Sequence, residues 1–150
     1  MSIVIYCDTG GYQQYLKQFS QDIELISFKS ENKNKNIINK SLPPSNMTFD
    51  DYKQMPENLH SEHILDDLTF DDFAESSVYK DIVRIVGKEN KKDIEHLDSA
   101  YKSKVDIFLT SDYDDIYSYK KELESILGFK IFLSTKERSL IETYIQKIIQ

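Results

Sequence analysis

Only one cysteine, Cys7, occurs among the 150 residues, and there is no tryptophan. A lone cysteine forbids an intramolecular disulfide, and a thiolate-based zinc site needs several, so both are excluded. Cys7 lies in an apolar run beside Asp8 and reads as a buried free thiol in a strand, in keeping with a reducing cytosol. No stretch approaches the ~20 apolar residues that span a bilayer. The opening Met-Ser-Ile-Val-Ile-Tyr-Cys-Asp has no basic leader and no small-residue cleavage site. A cytoplasmic protein without membrane contact is expected. An excess of positive charge is missing too. The net charge of −7 argues against a chain that coats nucleic acid with a broad basic face.

What is present suffices for one core. The hydrophobic fraction is 39% and the aromatic fraction 12%, supplied by Tyr and Phe. The length fits one domain, 1–150, with little room for two. Its charge is segregated. From Asp50 to Asp81 there are ten acidic residues against Lys53 and Lys80, so an acidic insert is expected at about 48–75. From Lys29 to Lys40 there are four lysines against Glu31, and a further basic cluster holds Lys88, Lys91, Lys92, Lys102 and Lys104.

Hydrophobic periodicity predicts the elements. Ile3–Cys7 is a short β-branched run and reads as a buried strand, ended by the turn chemistry of Asp8-Thr9-Gly10-Gly11. Tyr12, Tyr15, Leu16 and Phe19 have the spacing of one helical face. Ile23–Phe28 reads as a second strand. Residues 29–47 read as irregular, with the polar run 32–36 either a solvated loop or one reaching toward a phosphate backbone. Thr48 with Asp51, and Thr69 with Asp72, suit short helices within the acidic segment. A helix holding Tyr79, Ile82, Val83 and Val86 stops at Gly87, and Asn90 caps another over 91–102. Val105–Thr110 is a third strand, followed by a helix with Leu123, Ile126 and Leu127 that stops at Gly128. Lys130–Leu133 is a last strand, and Ser134 with Glu137 forms a capping box for a terminal helix. Such alternation predicts helices packed on a parallel sheet.

Two of these strands finish on an aspartate. In open α/β sheets ligands bind beyond the carboxyl ends of the strands, so Asp8 and Asp112 should face one rim if their strands are parallel neighbours. Asp93 lies in the first turn of the helix leading into the second strand, which places it near the same rim. Converging carboxylates call for a hard cation, Mg²⁺ or Mn²⁺. Such an ion activates water and supports in-line phosphoryl displacement. Each residue alone also has a plain structural role: Asp after a strand forms turns and caps, and Asp93 complements a helix dipole.

Several segments together resemble the PIN-domain nucleases. Val105-Asp-Ile-Phe-Leu-Thr-Ser-Asp112 is similar to that family's strand ending in Thr-x-Asp. Asp93-Ile-Glu-His-Leu-Asp-Ser-Ala100 resembles its Asp-x-x-His-Leu-x-x-Ala helix, Leu127-Gly128 onward its Leu-Gly-x-x-Val ending, and Ile5-Tyr-Cys-Asp8-Thr9 its first acidic strand. The likeness covers about 90–133 and 3–9 and is thin over 32–89. Gly10-Gly11 stands where the family more often has Asn and an aliphatic residue.

The resemblance implies a three-layer α/β/α fold with a central, mostly parallel sheet of about four strands. It implies a Mg²⁺- or Mn²⁺-dependent endoribonuclease in which Asp8, Asp93 and Asp112 hold the metal. Glu31 would be the fourth acid, with Glu62 as runner-up; the positive charge of the Lys29–Lys40 segment, apart from the resemblance, makes Lys33 and Lys35 the expected RNA-binding residues. Small stand-alone members often act as toxins paired with an antitoxin protein, and many are homodimers. A catalytically silent PIN-like module binding protein or RNA is the alternative. A phosphotransfer enzyme with an aspartyl nucleophile is a third, weakened by the missing second aspartate after Asp8. His96 is expected to brace its helix against the sheet. Asp114 and Asp115 could assist at the metal or cap the next helix. His60 and His63 could bind zinc but read as solvated, and Tyr113, Tyr117 and Tyr119 could stack bases or simply pack.

Overall fold

The computed structural model describes residues 2–8, 10–28, 40–42 and 76–150. Glu31, Lys33, Lys35, His60, Glu62, His63 and the acidic insert at 48–75 lie outside the described residues.

Among the described residues five strands form one sheet: β1 (Ile3–Cys7), β2 (Ile23–Phe28), β3 (Lys40–Leu42), β4 (Ile107–Thr110) and β5 (Lys130–Leu133). Their order is β3-β2-β1-β4-β5, and every neighbouring pair is parallel. About four strands were expected. The additional one is the three-residue edge strand β3, too short to carry an alternating or apolar signal of its own.

The α-helices among the described residues are α1 (Tyr79–Val86), α2 (Lys91–Lys102), α3 (Lys120–Leu127) and α4 (Arg138–Ile149). They cover both faces. Because side chains alternate across a strand, β1 sends Tyr6 into one core and Ile3, Ile5 and Cys7 into the other. The first core packs α1, α2 and α3 residues such as Ile82, Leu97 and Leu123 against Tyr6 and Phe108. The second sets Leu16, Phe19, Ile141 and Ile145 against Ile5 and Leu109. Burial on both faces explains why β1 and β4 are apolar runs rather than alternating ones. None of the helices among the described residues is long and apolar enough to cross a membrane.

Local details depart from expectation where a competing hydrogen bond wins. The periodic run after β1 forms a 3₁₀ helix, Gln14–Phe19, with Leu16 and Phe19 buried. The strand expected from Val105 begins at Ile107. Asn90 precedes α2 but makes no side-chain cap; its amide donates back to the Val86 carbonyl at 2.6 Å. The Ser134–Glu137 capping box does not form. Ser134 Oγ donates to the Thr110 carbonyl, and Glu137 itself precedes α4.

Glu137 has other work at the sheet edge. β5 is an outer strand, and an outer strand leaves every second N–H without a neighbour. Glu124 Oε2 accepts from the Ile131 N–H at 2.8 Å, and Glu137 Oε1 from the Leu133 N–H at 2.9 Å. Two carboxylates thus close this edge to another strand.

Candidate metal centre

The sheet order fixes where the site lies. The chain runs outward through β1, β2 and β3, then returns to place β4 on the other side of β1. The crevice beyond the ends of β1 and β4 is therefore the topological switch point, where α/β sheets bind ligands. Asp8 follows β1, Asp112 lies two residues past β4, and Asp93 occupies the first turn of α2, which feeds β4.

Asp93, Asp112 and Asp115 each offer a carboxylate oxygen within 4.8 Å of the others. Three acids at that spacing can share one cation. Asp115 was expected to assist or to cap; it joins the cluster because the turn after β4 folds it back, its N–H donating to Asp112 Oδ1 at 2.9 Å. The spacing Asp-x-x-Asp in a loop was the available signal, and it is indistinguishable in sequence from a turn.

Asp8 stands beside this group, only 8% exposed. Thr110 joins it to Asp112. The Thr110 hydroxyl is hydrogen-bonded to the Asp8 carboxylate, while Thr110 Oγ1 accepts the Asp112 N–H at 2.9 Å. The Ser111 backbone also bonds to Asp8. These contacts leave Asp8 Oδ1 buried and without a hydrogen-bond partner among the described residues. A buried carboxylate oxygen left bare costs free energy unless something satisfies it.

Gly11 explains a departure from the resembled pattern. A Cβ there would fall against the Leu109 carbonyl oxygen and 3.0 Å from Asp8 Oδ1. Only glycine lets the chain turn so close to this carboxylate. Gly10, with φ of +84°, sits in the left-handed region that the same turn demands.

The electrostatics follow from burial and crowding. Burial first, then the charges of Asp93 and Asp112, push Asp8 up from 3.8 to about 7, against the opposing hydrogen bonds from Thr110 and Ser111. Asp93 is pushed up to about 6 by burial and by Asp112 and Asp115, with Lys92 opposing. Asp115 is raised chiefly by the charge of Asp112. All three favour a proton, or a cation in its place.

Nearby groups are structural. His96 is 2% exposed and shares a 2.8 Å hydrogen bond through Nδ1 with the Tyr6 hydroxyl. Burial pulls its pKa down to about 3, so it stays neutral and braces α2 against β1, as expected. Asp98, fully buried, accepts from the Ser76 hydroxyl and backbone and lies 3.9 Å from Lys102 Nζ, tying the approach to α1 onto α2.

No protein-family model, curated protein or solved structure matches this chain. The site itself therefore has to carry the functional argument.

The donor set fits a hard divalent ion. It is all carboxylate oxygen, with no imidazole or thiolate among the clustered groups, which suits Mg²⁺, Mn²⁺ or Ca²⁺ rather than softer metals. Asp8 is not one of the three acids grouped within 4.8 Å; its bare, buried Oδ1 lies against Gly11.

Proposed function

We propose that this chain is a PIN-like, Mg²⁺- or Mn²⁺-dependent ribonuclease. The observation that carries the reading is the buried, unpartnered Asp8 Oδ1 beside the Asp93–Asp112–Asp115 cluster at the switch point of a parallel sheet. The motif likeness and the strand-end placement of Asp8 and Asp112 support it further.

When bound, such an ion supplies Lewis acidity toward a phosphoryl oxygen and makes water a better nucleophile. The chain's own residues do the rest. Asp93, Asp112 and Asp115 would hold the ion, and Asp8 would complete or orient the shell. Thr110 fixes Asp8 and Asp112 relative to each other through one hydroxyl. Gly11 lets the chain pack against the Leu109 carbonyl and Asp8, where a Cβ would not fit. The neutral His96–Tyr6 pair holds the α2 start in place without adding charge.

The test is cleavage of single-stranded RNA with Mn²⁺ or Mg²⁺, followed on a gel and stopped with EDTA. Asp8→Asn and Asp93→Asn keep the side-chain shape and remove the charge, so each should lose at least ~100-fold in rate. A protein that binds RNA yet never cuts it with any divalent ion would favour the silent binding module.

A further inference from the structure

A second surface begins where the acidic cluster ends. Tyr113 directly follows Asp112 and is 58% exposed. Its ring meets that of Tyr117 at 5.5 Å between centroids. Lys120 Nζ lies 5.4 Å from the Tyr117 ring and 5.0 Å from that of Phe132. Phe132 in turn meets Tyr144 at 5.6 Å. This chain of contacts leads from the Asp112 loop into a groove of about 500 Å³ between β5 and α4.

The groove is lined by apolar and basic side chains. Phe132, Leu140 and Tyr144 supply the apolar surface, and Lys120, Lys130 and Lys147 the charge. Its one acid, Glu124, already accepts the Ile131 N–H. Among the described residues none of these three lysines pairs with a carboxylate. On a chain with net charge −7, three unpaired cations around aromatic surface form a local attractor for a polyanion with flat, apolar parts.

We propose that this track binds single-stranded RNA leaving the acidic cluster, with a base stacked on Tyr113 and phosphates laid along Lys120, Lys130 and Lys147. It rests on the ribonuclease reading of that cluster and adds the route and the strandedness of the substrate. Duplex RNA keeps its bases stacked inside and cannot offer one to Tyr113. An extended peptide is the other occupant a groove beside an edge strand could take, by adding a strand to it. That mode is closed here, because Glu124 and Glu137 already take the outward N–H groups of Ile131 and Leu133.

The experiment is fluorescence anisotropy with a labelled single-stranded oligoribonucleotide of about 12 nucleotides. It is run in EDTA at low salt, so that no cleavage intervenes. Replacing Lys120, Lys130 and Lys147 together by Gln should weaken binding at least tenfold and flatten the slope of log Kd against log salt by about 2, near 0.7 per lost contact. Tyr113→Ala should weaken binding about fivefold or more without changing that slope. Lys17→Gln, exposed on the 3₁₀ helix, is the control and should change neither. Melting temperatures establish that each variant is folded. A triple variant with wild-type affinity and salt slope, or a wild type that prefers duplex RNA, overturns the proposal. The metal reading is tested separately: the triple variant should keep the Mn²⁺-induced rise in melting temperature, whatever happens to RNA binding.

Discussion

Asp8→Asn should make the metal-free protein less sensitive to pH, and the size of the effect can be worked from burial. Asp8 is 8% exposed, and its folded-state pKa is about 7 against an ordinary 3.8. Between those values the folded chain keeps a proton that the unfolded chain has released. Stability therefore falls as pH rises through this window and levels off above it. About three pKa units at 1.36 kcal/mol each set a ceiling of about 4 kcal/mol on the loss. Asparagine is neutral throughout. It also puts an amide group at a buried position where one oxygen has no partner, but that offset does not depend on pH. The change in the gap between the two proteins is therefore diagnostic, not the gap itself. For a domain of this length, roughly 2–4 °C in Tm per kcal/mol lets the gap move by roughly 10 °C in favour of the variant between about pH 4.5 and about pH 8. Thermal unfolding of both proteins in EDTA across that range measures it, with urea unfolding at the two ends as a second readout. Parallel curves for wild type and variant would refute the claim that Asp8 is held buried against its own charge.

Mn²⁺ should raise the melting temperature of the wild type near neutral pH, by the equivalent of about 2.7 kcal/mol at a hundredfold excess over Kd. Asp112→Asn and Asp115→Asn should lose most of that rise; an equal rise in all three proteins would trace it to non-specific binding. His96 titrates in the opposite sense to Asp8: its folded pKa of about 3 lies below the ordinary 6.5, so it contributes stability that is present above about pH 6.5 and lost as pH falls toward 3. His96→Gln should then leave a protein whose stability declines more steeply than the wild type's as pH rises from about 4 to about 6.5, measured by the same unfolding series; a wild-type slope would mean that His96 is not held neutral. RNA cleavage by the Asp8 and Asp93 variants completes the set.

The parts of the fold legible in the sequence were those buried on two faces. Ile3–Cys7 and Lys130–Leu133 are apolar runs bounded by turns, and both are strands at the expected residues. Gly87 and Gly128 end their helices with positive φ, as glycine after a helix should. Side-chain hydrogen bonding was less legible. Ser134 and Glu137 have capping-box spacing, yet Glu137 is drawn to the unpaired Leu133 N–H and the Tyr117 hydroxyl, and Ser134 to the Thr110 carbonyl. Those competitors come from the sheet edge and from β4, and local spacing carries no trace of them. At the site, Asp8, Asp93 and Asp112 were placed from strand ends and a helix start. For Asp115 the sequence leaves assisting at the metal and capping the next helix equally open, because the backbone bond to Asp112 that folds it back is one any short polar loop could make.

The charge arrangement around α2 has a further logic. The helix carries Asp93 at its start, one turn before His96. Asp93 faces the crowded crevice with Asp112 and Asp115, whereas His96 faces inward onto Tyr6. A charged residue at the His96 position would add to the field that already raises Asp8 and Asp93, or would neutralise it without a metal. A neutral imidazole hydrogen-bonded to a buried hydroxyl does neither. It also fills core volume next to the stacked Tyr6, Phe108 and Phe129 rings. The His96–Tyr6 contact beneath the crevice therefore adds no charge to it, and a cation could relieve the repulsion among the acids. Such local conflict, held in place by a well-packed frame, is the kind of departure from the stability optimum that folded chains commonly show at sites.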